Sequence, residues 1–204
     1  MRKIVISLVL VLSTLGVVSA QSASEWLTKL DSSLGERYAM HITVTMNDPI
    51  EGATDVSGYF MVEGDAYYIT LGVMEVFSDG KLRYEVNNER KEVVEDRVNL
   101  AACDLLTNPT RAFSFVPNEF ASEVVSRANG SVVLKLVPKS KAMGIDAITL
   151  TLSQNGAKVT PQSISYDYDG DAVSIALSVA DVTDAKLPRW DKSAYRAYDI
   201  VSFL

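Results

Sequence analysis

One cysteine, Cys103, and one histidine, His41, stand in a chain of 204 residues. A lone cysteine excludes an internal disulfide, and a lone histidine has no ligand partners at metal-binding spacing. No GxSxG elbow, HExxH helix, phosphate-binding glycine loop or CxxC pair occurs. Asp167, Asp169 and Asp171 resemble the opening of a calcium loop, but Ser178 stands where the closing glutamate belongs. Those aspartates read as the solvated tip of a hairpin. Nothing here argues for catalysis, and the chain calls for no cofactor or metal.

Long apolar runs are equally scarce. The longest, IVISLVLVLSTLGVV over residues 4–18, is short for a bilayer span and lacks a basic stop-transfer cluster. Preceded by Met1-Arg2-Lys3 and followed by Val18-Ser19-Ala20, it has the form of a secretory leader cut after Ala20. Export to the periplasm is the expectation. Losing Arg2 and Lys3 leaves 17 basic against 26 acidic residues, a net charge of −9. Such a balance speaks against nucleic acid and anionic membrane surfaces, which need clustered Lys and Arg. What remains is one domain over 21–204, and roughly 180 residues is ample for a core.

Short β-rich runs dominate that remainder. From Thr54 to Val98, turn residues at Glu63-Gly64-Asp65, Leu71-Gly72, Asp79-Gly80 and Asn87-Asn88 leave no room for helices. A period of two aligns Phe60 and Val62, then Tyr67, Ile69 and Leu71, then Leu82, Tyr84 and Val86, on one apolar face. Arg83 and Glu85 fall on the polar face by the same rule. Before this meander, Ser22 to Leu34 has Trp26, Leu27, Leu30 and Leu34 at helical spacing, with Gly35 as the stop. Tyr38 to Met46 alternates as a strand.

After the first meander, residues 99–107 (NLAACDLLT) predict a short helix carrying Leu105 and Leu106 and ended by Pro109. Residues 111–118 read as a loop with Phe113 and Phe115 tucked inward. Asn129-Gly130, Asn155-Gly156 and Asp169-Gly170 then mark a second meander. It places Leu134, Leu136, Ile148, Leu150, Tyr166, Ile175 and Leu177 on its apolar face. A longer connection with Pro188 and Trp190 leads to a last strand in AYDIVSFL.

This order resembles the periplasmic lipoprotein carriers of the LolA type. The segments that carry the resemblance are VSGYFMVEGDAYYI (56–69), VFSDGKLRYEVNNERKEVVE (76–95) and YRAYDIVSFL (195–204). The chain departs from the family in having Glu63-Gly64-Asp65 where Arg-Pro is common, and Ser202 and Leu204 where Asp and Arg are usual. The resemblance implies an α+β fold, an open, unclosed antiparallel β-barrel of about ten or eleven strands covered by two or three helices. It also implies a monomeric carrier of lipoprotein acyl chains or other lipid, served by an inner-membrane lipoprotein-releasing transporter and an outer-membrane acceptor.

The hollow of such a carrier would be lined by Trp26, Leu30, Phe60, Ile69, Leu71, Leu82, Tyr84, Leu105, Leu106, Leu134, Leu136, Ile148, Leu150, Tyr166, Ile175 and Leu177. A second reading keeps the same barrel with its hollow filled by those side chains. The protein would then be a non-catalytic envelope module acting through its surface. A curved sheet with one apolar face must either close on itself or hold something apolar.

Overall fold

The structure is a computed structural model that describes residues 21–48, 52–169 and 171–204. The expected leader and Gly170 of the third hairpin turn lie outside the described residues. One helix, α1 (Ala23–Leu34), opens the described chain. Ser22 and Glu25 form a reciprocal capping box, with Glu25 accepting from the Ser22 amide at 2.9 Å. Gly35, at φ 66°, ends the helix in a conformation that favours glycine. Trp26, Leu27 and Leu30 fall on the stripe that α1 buries.

Twelve strands then form a single sheet: β1 (Arg37–Asp48), β2 (Gly52–Glu63), β3 (Ala66–Leu71), β4 (Met74–Ser78), β5 (Leu82–Asn87) and β6 (Glu92–Arg97), followed by β7 (Phe120–Ala128), β8 (Ser131–Pro138), β9 (Ala147–Asn155), β10 (Lys158–Tyr168), β11 (Asp171–Ala180) and β12 (Asp199–Ser202). Their spatial order is β12-β6-β5-β4-β3-β2-β1-β11-β10-β9-β8-β7. The two meanders thus join through β1 and β11, from Ala39 opposite Ala180 to Thr45 opposite Ser174. The end strands β12 and β7 do not pair with each other, so the sheet is open.

Three expectations need correction. The sheet has one strand more than the upper expected count, because four short strands, β3 to β6, follow β2 in the Thr54–Val98 stretch. It is antiparallel except at its edge, where β12 runs parallel to β6, Ile200 opposite Val93. A parallel partner needs a long crossover, and residues 181–198 supply one across the outer face. Finally, α1 is the single α-helix among the described residues, joined only by short 3₁₀ turns at Lys141–Met143 and Lys192–Tyr195.

The helix expected over 99–107 is a chain of turns. Side chains there compete for the backbone. Asn99 Oδ1 accepts from the amides of Ala101 and Ala102 at 3.0 and 3.2 Å, and Asp104 Oδ1 from Thr107 at 2.9 Å. Leu105 and Leu106 are therefore carried by an irregular segment.

The inner face packs into one core. Met40, Phe60, Tyr67, Leu134, Leu136, Ile148, Leu150 and Leu152 are fully or almost fully buried in it, against Leu30 of α1 and Leu105, Ala112 and Phe113 of the irregular segment. Close packing sets Gly58: a Cβ there would lie 2.2 Å from the Thr70 carbonyl oxygen and 3.1 Å from Ile42 Cγ1. The first contact is with rigid backbone and cannot relax by a rotamer change. Gly58→Ala should therefore lower unfolding stability in urea by about 3 kcal/mol, the upper end of ordinary overpacking. A midpoint unchanged from the parent chain would refute that account of β2.

Candidate functional site: the inner face and its cover

Two elements cover the inner face. α1 lies mainly over β10, where Val159 donates its amide to Ser33 Oγ at 3.0 Å. The rest is covered by the irregular segment 99–119, here called the lid. Three tyrosines from three different strands fasten it. Tyr38 of β1 donates to the Pro109 carbonyl at 3.0 Å, and Tyr67 of β3 to the Thr107 carbonyl at 3.1 Å. Tyr166 of β10 accepts from the Leu105 amide at 2.9 Å. Burial pushes the pKa of all three hydroxyls up, so each keeps its proton across the neutral range.

The lid also stabilises itself. Asn108, fully buried, donates to the Asn99 carbonyl at 3.2 Å and accepts from Thr110 Oγ1 at 2.6 Å. Arg111 pairs with Glu119 at 2.5 Å and reaches the Leu100 carbonyl at 2.6 Å. Ring edges complete the attachment: Phe113 lies 6.2 Å from Tyr38, and Phe115 meets Phe120 edge-on at 5.3 Å.

The margins of the lid are grooved. Between α1 and residues 113–122 runs a groove of about 330 Å³ lined by Leu27, Phe113, Phe115 and Phe120. On the other side a groove of about 410 Å³ is bordered by Cys103, Arg111, Glu119, Met143, Ile145 and Tyr168. A third, of about 250 Å³, separates the lid from Leu34 and Val62. Cys103 is buried, and its burial, then the charge of Asp104, pushes the thiol pKa up and keeps it unreactive. His41 is exposed beside the Tyr59 ring at 5.5 Å, and no metal-holding group of side chains exists among the described residues.

Most residues expected to line the hollow come together. Trp26, Leu30, Phe60, Ile69, Leu105, Leu134, Leu136, Ile148, Leu150, Tyr166, Ile175 and Leu177 share the inner core, with Leu71 and Leu106 packed on its edge. Leu82 and Tyr84 do not join them. Strand pairing sets Ser78 opposite Arg83 and Val76 opposite Glu85, so Arg83 and Glu85 face inward beside Tyr67 and Ile69. Tyr84 faces outward, stacked on Trp190 at 4.5 Å and 8°. The residues of β5 alternate as expected, but the inward face is the charged one.

The reason is a second apolar layer outside. Residues 181–198 form a strap whose Trp190 lies between Tyr84 and Tyr195, the latter at 4.8 Å and 13°. Leu187 packs on Ala39, Met61 and Ala66. Glu75 takes hydrogen bonds from Tyr68 at 2.7 Å, Asn88 at 3.0 Å and Tyr195 at 3.3 Å. Arg37 bonds the Val182 carbonyl at 2.9 Å, the Ala185 carbonyl, and Glu63 at 3.0 Å. Alternation placed Tyr166 in the hollow but did not show that Tyr38, Tyr67 and Tyr166 fasten the lid. Their signal is a tyrosine in an otherwise aliphatic inward series, since a buried phenol needs a partner for its polar tip.

Removing the Tyr166 hydroxyl leaves the buried Leu105 amide donor unpaired, at about 1–3 kcal/mol. Tyr166→Phe should thus speed hydrogen exchange at the Leu105 amide by roughly tenfold or more while the β2–β3 amides stay protected. Equal acceleration at both places would mean that the lid and the sheet open together, not separately.

No family model matches the chain. An uncharacterized conserved protein from Thermus thermophilus is similar in structure, with a TM-score of 0.54 and 14% identity, over 88% of this chain and 98% of that one. A LolA superfamily protein from Nitrosomonas europaea gives a TM-score of 0.41 at 9% identity, over 86% of this chain and 98% of its own. In sequence, actin filament-associated protein 1-like 2 of Mus musculus is 30% identical over 103 residues, 50% of this chain. The chain spans 12% of that relative's length. What the chain shares with the Thermus thermophilus protein, at that identity, is its fold.

Proposed function

We propose that this protein carries lipid acyl chains, holding them against the inner face of its sheet when the lid moves aside. The observation that carries this reading is the nature of the cover. A closed barrel or a sandwich seals its apolar face with hydrogen-bonded strands. Here much of that face is sealed by a turn-rich segment held by three tyrosine hydroxyls and bordered by grooves. Each such bond contributes about 1 kcal/mol net. Burying one methylene contributes about 0.8 kcal/mol, so a handful of acyl carbons offsets the loss of the fastenings.

Leu105, Phe113 and Phe115 of the lid pack in the core where, on this reading, an acyl chain would lie. The chain would then contact Trp26, Leu30, Phe60, Ile69, Leu134, Ile148, Leu150 and Ile175. The sequence resemblance extends the reading to a periplasmic monomer that accepts lipoprotein acyl chains from an inner-membrane transporter and delivers them to an outer-membrane acceptor. The net charge of −9 left once the expected leader is removed fits a carrier that does not stay on anionic membranes.

One observation favours the alternative, an envelope interaction module with a filled core. Leu30, Phe60, Leu134 and Leu150 have no exposed surface, and the grooves found are surface clefts. Solvent extraction of the purified protein followed by lipid mass spectrometry separates the two readings, together with titration by a fluorescent hexadecanoic acid. The carrier reading expects uptake of one chain per protein, faster in Tyr166→Phe. No retained acyl species and no uptake would leave the module.

A further inference from the structure

The inner face changes character at β5. Across the strands, one row of paired residues runs Tyr38, Val62, Tyr67, Ser78, Arg83 and Asp96. The next runs Met40, Phe60, Ile69, Val76, Glu85 and Val94. Apolar residues hold β1 to β3; a guanidinium and a carboxylate take over on β5. Arg83 is only 20% exposed at its side chain and pairs with Glu85 through Nη1 at 2.7 Å. Its Nε is buried with no hydrogen-bond partner. A buried, unpaired guanidinium nitrogen is costly, and native structures rarely keep one without a use.

The surroundings of Arg83 tie it to the lid. Arg83 and Ser78 sit beside the Tyr67 hydroxyl, where both hold back the rise in pKa that burial causes. That hydroxyl donates to the Thr107 carbonyl of the lid. Asp104 of the lid is near enough to act on Tyr67 in the opposite sense. Lifting the lid therefore removes an acid and a carbonyl from the neighbourhood and frees the Tyr67 hydroxyl as a donor. Glu85 engages Nη1 and the guanidinium also lies within hydrogen-bonding reach of the Tyr67 hydroxyl, which leaves Nε to take a second oxyanion. A fork of this shape suits carboxylate or phosphate oxygens.

We propose that Arg83, with the Tyr67 hydroxyl, seats the anionic headgroup of an amphiphile whose acyl chain lies along the apolar rows toward β1. This rests on the lipid-carrying reading and names its ligand class: an acyl chain ending in a carboxylate or a phosphate. The two sources share one oxyanion chemistry, and the opposing acids Glu85 and Asp96 keep the site selective for a single such group.

The test compares hexadecanoate, hexadecyl phosphate and hexadecanol binding to the purified protein by titration calorimetry. At least one anionic ligand should bind about tenfold tighter than the alcohol, the worth of a charge-assisted hydrogen bond. Whichever anion binds tighter names the headgroup, and either result supports the seat. Arg83→Gln should erase the preference while the hexadecanol Kd stays unchanged. Should that variant fail to fold, Glu85→Gln removes the competing carboxylate and should tighten the anions several-fold without affecting the alcohol. Equal binding of all three ligands, or a preference that survives Arg83→Gln or does not respond to Glu85→Gln, overturns the seat and leaves lipid carriage standing. Failure of all three ligands to bind overturns both.

Discussion

Everything in this molecule answers to one constraint: an open sheet of twelve strands has a broad apolar inner face and no second sheet to bury it. One helix of twelve residues covers only part of that width. The remainder falls to a segment of turns, in which Asn99 and Asp104 spend their side chains on nearby amides. A cover of turns leaves backbone groups that need partners over a hydrocarbon surface. The sheet supplies them through Tyr38, Tyr67 and Tyr166, each reaching across with a phenol where an aliphatic residue would have left the lid unpaired.

The outer face meets a related problem with a different solution. The strands β2 to β5 carry apolar residues outward as well as inward, and the strap hides the outward set. Its anchoring is aromatic and ionic in turn: Trp190 between two tyrosine rings, Glu75 as a shared acceptor, and Arg37 fastening carbonyls of the strap next to Glu63. Stacked rings contribute about 0.5–1.5 kcal/mol per pair beyond the area they bury, so the stack outweighs the exposed ion pair of Arg189 with Glu63. Delivered by the strap, β12 adds to β6 in the parallel sense that only a long crossover allows.

Much of this was legible in the sequence, and the losses have physical causes. The first helix and its stop are local signals and appear where they were expected. So does the Asn129-Gly130 turn, whose two residues sit at φ 50° and 79° as a primed hairpin requires. The second helix failed because capping residues and leucines at helical spacing say nothing of side chains that prefer turns. The final strand was visible, while its parallel sense was not, since orientation depends on where the strap crosses. The lid tyrosines were counted as apolar filling, because alternation reports which way a side chain points and not what its tip must find.

The inverted face of β5 is the most informative of these failures. A period-two pattern fixes which residues share a face, and Leu82, Tyr84 and Val86 do share one. It identifies that face as the inner one only if the outer face meets water. Here the strap makes the outer face of β5 the drier of the two, so the apolar set turns outward. Arg83 and Glu85 are consequently held at the margin of the core, with Arg83 largely screened from solvent and one of its nitrogens unpaired. A cation in that position is expensive in a protein whose inner face serves packing alone, where a leucine would do better. On the proposed carrier reading, a face that is at times uncovered gives this cation an oxyanion partner that a permanently closed face does not.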